Sequence, residues 1–264
     1  MISSLLDLKN KPGGDLGGRM LNTVASQSIR HLFTSSELVD VDVRCEPSSK
    51  LLQGSIDSFK MKGRELVIRR AFAVKEMMFE TDAVMIDTAA LFAGKLQLKQ
   101  PTQAVAQVVL TEEAINKAFE ADLVKQRLVN VDAEPLTNLS GGDPVTFRDI
   151  QVELKPNNQV KILAFTDLPN RSNVPISLSS TLTVERRRRV VFKDAQFDSS
   201  NIESDMQGVA RVLTNGFAEI LNSMVDLDRF NLDGITLRIN RLETHGKTLV
   251  FSGYAQIDHV PNNG

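Results

Sequence analysis

The sequence predicts an α+β fold: an elongated, strongly curved antiparallel sheet or barrel wrapped on long amphipathic helices. Two observations carry that expectation. Apolar and polar residues alternate with period two in short runs from Val39 to Leu110, from Ile150 to Val184 and from Ile235 to Ile257, as they do in strands with one buried and one solvated face. Apolar stripes at helical spacing precede, divide and cover these strand groups, an order that fits an antiparallel sheet with helices laid on it and not parallel β-α-β units.

Taken in order, NKPGGDLGGR (10–19) reads as a flexible lead-in, so residues 1–17 are set apart from a single domain over 18–260. Leu21, Val24, Ala25, Ile29, Leu32 and Phe33 fall on one helical face and predict an amphipathic helix over 18–36. Short alternating runs follow, among them Val39, Val41 and Val43, then Phe59 and Met61, then Met77 and Phe79, then Val84 and Ile86, and they predict an antiparallel meander. Thr111 ahead of Glu112 and Glu113 is an N-cap with an acidic first turn, opening a short helix that runs to about 124. TNLSGGDP (137–144) breaks the chain. Ile150, Val152 and Leu154 alternate against Asp149, Gln151 and Glu153, and Ile176, Leu178, Leu182 and Val184 continue the second strand group. From 203 to 224, Met206, Val209, Ala210, Leu213, Phe217, Ile220, Leu221 and Met224 form the widest helical stripe in the chain. A hairpin around ETHGK (243–247) closes the sequence.

Composition removes several functions. Lys and Arg number 31 against 33 Asp and Glu, a formal charge of -2, so the basic excess of a polyanion-binding domain is absent and nucleic acid is not the expected partner. With no Trp and one Tyr, the chain also lacks the ring platforms on which bases and sugars stack. No apolar run reaches the ~18 residues of a spanning helix, and MISSLLDLKNKPGGD has neither the basic start nor the apolar stretch of a secretory signal. The expectation is a cytoplasmic protein that can sit peripherally on a membrane. Cys45 is the single cysteine, and His31, His245 and His259 stand at no metal-ligand spacing. GGDLGG (13–18) and SGGD (140–143) lack the P-loop pattern, and no GxSxG elbow occurs. The chain therefore reads as a non-enzymatic protein without metal or cofactor.

Two features invite a binding role. Met61, Met77, Met78 and Met85 crowd one strand region, where deformable side chains suit variable acyl chains as well as they fill irregular core gaps. An acyl groove between the 203–224 helix and the sheet would be lined by Met61, Met77, Phe79, Met85, Phe217, Ile220 and Leu221. The stretch STLTVERRRRVVFKD (180–194) sets Arg186, Arg187, Arg188 and Arg189 between apolar runs. Four arginines cannot all be buried, so the chain must turn or leave the sheet there, at a solvated rim that could also contact anionic lipid headgroups.

The segments LLQGSIDSFKMKGREL (51–66), LFAGKLQLKQPTQAVAQVVLTEEAINKAF (91–119) and FNLDGITLRINRLETHGKTLVFSGYAQI (230–257) resemble the LmeA-like phospholipid-binding family, which has cyanobacterial, plastid and actinobacterial members. The resemblance extends over about 20 to 258, and its motifs are structural rather than catalytic. It implies a fold similar to tubular lipid-binding (TULIP-like) domains, in which a curved sheet and a long helix enclose an apolar groove. It also implies non-enzymatic binding or transfer of phospholipid or a similar amphiphile. The alternative is a protein-interaction scaffold at a membrane surface, without lipid cargo.

Overall fold

The computed structural model describes residues 16–229 and 234–260. The strands there are β1 (Leu38–Arg44), β2 (Ser55–Ile56), β3 (Ser58–Ile68), β4 (Phe72–Thr81), β5 (Val84–Met85), β6 (Thr102–Thr111), β7 (Phe147–Leu154), β8 (Gln159–Leu168), β9 (Arg171–Glu185), β10 (Arg189–Phe197), β11 (Ile235–His245) and β12 (Thr248–Ile257). The helices are α1 (Leu16–Arg30), α2 (Thr88–Phe92), α3 (Glu112–Ala118), α4 (Asp122–Lys125), α5 (Glu134–Leu139) and α6 (Gln207–Met224), with a 3-10 turn over Ser48–Gln53. Strand pairing is antiparallel throughout these elements. A six-stranded sheet has the order β1-β3-β4-β6-β12-β11, a four-stranded sheet the order β10-β9-β8-β7, and β2 pairs with β5. The α+β class stands as the sequence predicts. The sheets end in open edges, however, and neither closes into a barrel.

Each sheet buries one face. α1 lays Leu21, Val24 and Ala25 against Val39 and Val43 of β1 and the cluster that holds Phe59, Met61 and Leu66 of β3. α6 covers the other sheet, seating Ala210, Leu213, Phe217 and Leu221 among Ile162, Ile176, Leu178, Leu182 and Val190. Ile239, Leu242 and Leu249 carry the β11–β12 hairpin into this second cluster.

Several boundaries differ from the sequence expectation. The first helix stops at Arg30 and not at 36, because Thr34 N–H donates to Val67 O (2.8 Å) and Val67 N–H to Ser35 O (2.9 Å), drawing the chain onto the end of β3. The long helix starts at Gln207 and not at 203, since residues 203–206 form a turn in which Met206 N–H reaches Glu203 O (2.9 Å). TNLSGGDP does not begin as a break: Thr137 to Leu139 close α5, and the chain turns only at Gly141 and Gly142. The capping expectation holds, with Thr111 Oγ1 accepting from Ala114 N–H at 3.0 Å. Most of the lead-in lies outside the described residues, and its last part, Leu16 to Arg19, belongs to α1.

The two sheets share no strand, and side chains supply much of the joint between them. From α3, Asn116 Oδ1 accepts from Val152 N–H (2.6 Å), its Nδ2 donates to Val152 O (3.0 Å), and Glu112 Oε2 accepts from Leu154 N–H (2.8 Å), so a helix satisfies the edge of β7. In the β7–β8 turn, Asn158 does the same for β11, donating to Leu242 O (3.0 Å) and accepting from Thr244 N–H (2.9 Å).

One ion pair yields a pH-dependent prediction. Lys161 donates to Asp198 at 2.7 Å with both side chains about three-quarters covered, and this bond, with those from Ser200, holds Asp198 well below the usual carboxylate range. A depressed folded pKa means the stabilisation is complete above the unfolded value of about 3.9 and disappears as pH falls through the folded one. Asp198→Asn is expected to cost about 1 kcal/mol at pH 7. Melting curves against pH should show the two proteins converging in strong acid; a gap that stays constant throughout would remove the pair from the acid-stability account.

Candidate apolar site on the six-stranded sheet

Strand register assembles a continuous apolar face. One line of directly paired residues runs Val41, Met61, Phe79, Ala106, Gly253, Ile239 across the six strands, and the next runs Val39, Gly63, Met77, Val108, Phe251, Leu242. The opposite face carries charge, as in the registered pair Lys60 and Glu80, whose Nζ and Oε1 lie 2.5 Å apart. Side-chain alternation at period two forces this division once the register is set.

Cover over the apolar face is uneven. Its β1 and β3 side lies under α1, and its β11 side enters the cluster beneath α6. Between them Met77 and Phe79 of β4, Ala106 and Val108 of β6, and Phe251 and Gly253 of β12 are only half-buried. Ala106 and Gly253 stand side by side between the larger Phe79 and Ile239, so the middle of the line is low and its flanks high. Phe79 is held from the buried side by the ring of Phe59, edge to face at 6.2 Å. The three strands of this half-covered strip give two spacings of about 4.8 Å, or about 10 Å across. That is less than one leaflet of a ~30 Å hydrocarbon core, so the strip accommodates part of an acyl chain.

The structure separates the residues singled out in the sequence. Met61, Met77 and Phe79 share the first cluster, Met61 buried and the other two on the half-covered strip. Met85 lies on β5, beyond the end of the strip. Phe217, Ile220 and Leu221 sit on α6 in the second cluster, where the fully buried Phe217 ring is 4.8 Å from that of Phe147. The helix and the β3–β4 residues therefore lie over different sheets. Sequence reasoning passed over Ala106, Val108, Phe251 and Gly253, because only pairing brings β6 and β12 beside β4; Ala and Gly also look unremarkable in a strand.

Arg186, Arg187 and Arg188 form the turn of the β9–β10 hairpin and Arg189 opens β10, with Arg186 and Arg187 at positive φ (49° and 60°). Arg187 O accepts from Ile239 N–H at 2.6 Å, pinning the turn to the edge of β11, while its guanidinium bonds Asn240 and lies 4.6 Å from the Tyr254 ring centre. Arg188 donates to Asp228 (2.5 Å), which also accepts from Arg238 (2.7 Å), and these two bonds keep Asp228 below the usual carboxylate range. Arg189 reaches Glu185 (3.1 Å) and Asn222 O (3.0 Å). Arg186 is exposed.

Elsewhere an open cleft of ≈ 1080 Å³ lies alongside α3 and β7 and is lined by Glu112, Asn116, Phe119, Arg148, Gln151 and Lys161 among others. Its lining joins apolar side chains, among them Leu128, Phe147, Ile150 and Leu163, to charges of both signs. No group of His, Cys, Asp and Glu among the described residues is arranged to hold a metal ion. No described helix is long and apolar enough to cross a membrane.

Comparison with known proteins gives one match. The family model described as LmeA-like phospholipid-binding matches residues 13–253. No curated protein and no solved structure matches.

Proposed function

The chain belongs to the LmeA-like phospholipid-binding family, and from that premise we propose that it binds or carries a phospholipid, or a similar amphiphile, without chemical change, with an acyl chain laid along the half-covered strip of the six-stranded sheet. The observation that carries the reading is the low middle of that strip, where Ala106 and Gly253 interrupt an otherwise large-residue apolar line. Each methylene moved from water onto such a surface contributes roughly 0.8 kcal/mol, so a chain covering Met77, Phe79, Val108 and Phe251 is held by burial alone. Met77 can change rotamer to follow chains of different shape. In this reading the fold is a TULIP-like variant whose α6 is packed down on its own sheet. Residues 18–260 are read as one unit, because the β11–β12 hairpin pairs with β6 in the six-stranded sheet and carries Ile239, Leu242 and Leu249 into the cluster beneath α6.

Lipid extraction and native mass spectrometry of the purified protein are expected to show bound phospholipid at about one molecule per chain. A folded protein that takes up no lipid, either from mixed vesicles or as monomer from solution, would sink the proposal.

A further inference from the structure

Two of the most exposed large apolar side chains sit on neighbouring elements. Leu52, on the Ser48–Gln53 turn, is 72% exposed, and Phe92, the last residue of α2, is 61% exposed. The two elements pack on each other. Each is rooted by the preceding residue, since Leu51 and Leu91 are both buried in the cluster that contains Met61. The turn is also stiffly held: Gly54 caps it at φ 78°, where a Cβ would fall 2.4 Å from Ile86 O, and Ile86 N–H donates to Gly54 O at 2.7 Å. Two hydrophobes on a rigid mount are thus presented to water without a partner, which is the placement an interaction surface requires.

The surrounding charge selects the partner. Lys95 and Lys99, on the loop leaving α2, are exposed, and among the described residues neither forms an ion pair. Lys99 Nζ lies 3.2 Å from the position of a Cβ at Gly54, above the turn that carries Leu52. The neighbouring carboxylates are already engaged: Asp57 accepts from Lys50 (2.6 Å) and Glu46 N–H (2.7 Å), and Asp87 caps α2 through Ala90 N–H (2.9 Å). The same loop includes Leu98, which like Phe79 packs against the cluster of Ala104, Ala255 and Ile257 at the end of the strip. An aromatic and an aliphatic side chain beside free ammonium groups match the acyl boundary and phosphates of an anionic bilayer.

We propose that Leu52 and Phe92 form a membrane-docking tip, seated at the headgroup and acyl boundary of an anionic bilayer, with Lys95 and Lys99 on lipid phosphates and the loop to Leu98 leading a lipid toward the strip. This deepens the lipid-binding reading and rests on it. The arginine turn is the rival surface, but Arg187, Arg188 and Arg189 are occupied within the protein, which leaves Arg186 alone.

The test is co-sedimentation of the full chain with phosphatidylglycerol–phosphatidylcholine vesicles and with pure phosphatidylcholine vesicles, alongside uptake of a short-chain phosphatidylcholine presented as monomer. Leu52→Ser with Phe92→Ser is expected to lower vesicle binding by at least tenfold, with monomer uptake and melting temperature unchanged, because both side chains are exposed. Lys95→Ser with Lys99→Ser is expected to weaken binding to the anionic vesicles about fivefold per lysine and to leave the neutral ones unaffected. Arg186→Ser is expected to change neither. Sedimentation of both double variants like wild type, or loss of binding in Arg186→Ser alone, overturns the tip. A wild type that takes up monomeric lipid yet sediments with no vesicle overturns the tip and spares the lipid-binding reading. Failure of both measurements in the wild type ends both.

Discussion

Ala106→Trp is expected to abolish phospholipid uptake while the protein stays folded. Ala106 occupies the low middle of the apolar strip, paired with Phe79 on one side and Gly253 on the other. It is half-buried, not enclosed, so an indole there rises into the space where the acyl chain is proposed to lie, without displacing core side chains. Displacing only three methylenes of the chain costs about 2.4 kcal/mol, roughly fiftyfold in affinity. Val105→Trp is the control, since the neighbouring residue points to the opposite face and is 69% exposed; it should bind like wild type. Titration with a fluorescent phospholipid, read beside the melting temperature, decides the matter. Full binding by a folded Ala106→Trp protein would move the lipid off this strip.

Gly253→Ala should instead damage the fold. β11 makes a register shift between Ile239 and Arg241, so Asn240 is an extra residue and the strand presses against β12 opposite it. A Cβ built on Gly253 would stand 2.0 Å from Arg238 O and 2.9 Å from Arg238 C. Both atoms are backbone of a paired strand, and no rotamer change can relieve the overlap. The bulge must shift or the pair must part, at a cost of about 3 kcal/mol, which lowers Tm by roughly 10 °C in a chain of this length. A melting temperature within about 2 °C of wild type would show that β11 can relax away from β12.

How far the sequence could be read depended on the range of the determining interactions. The helical stripe from Met206 to Met224, the Thr111 cap and the ETHGK hairpin are set by neighbours a few residues apart, and their outlines were legible. Which sheet α6 covers was not, because the stripe states only that a cover is needed. Met61 and Phe217 look alike in sequence as apolar residues on amphipathic elements, yet they belong to different clusters. The arginine run announced a departure from regular strand, and the turn at Arg186 and Arg187 supplies it. Its partners Asp228, Asn222 and Tyr254 come from distant segments that no local pattern connects to it. The strip is a product of register, and register between β4, β6 and β12 joins residues as far apart as Phe79 and Gly253.

The asparagines at the two seams have a chemical corollary. Asn116 and Asn158 each give and receive on one strand edge, so each seam needs a group that is donor and acceptor at once. Hydrolysis of either amide to a carboxylate preserves size and shape but removes the giving half, leaving an anionic oxygen aimed at the Val152 or Leu242 carbonyl. Slow deamidation, a change of one mass unit, would therefore turn a mutual clasp into a repulsion. The chemical lifetime of two side-chain amides thus enters the durability of the union between the two sheets.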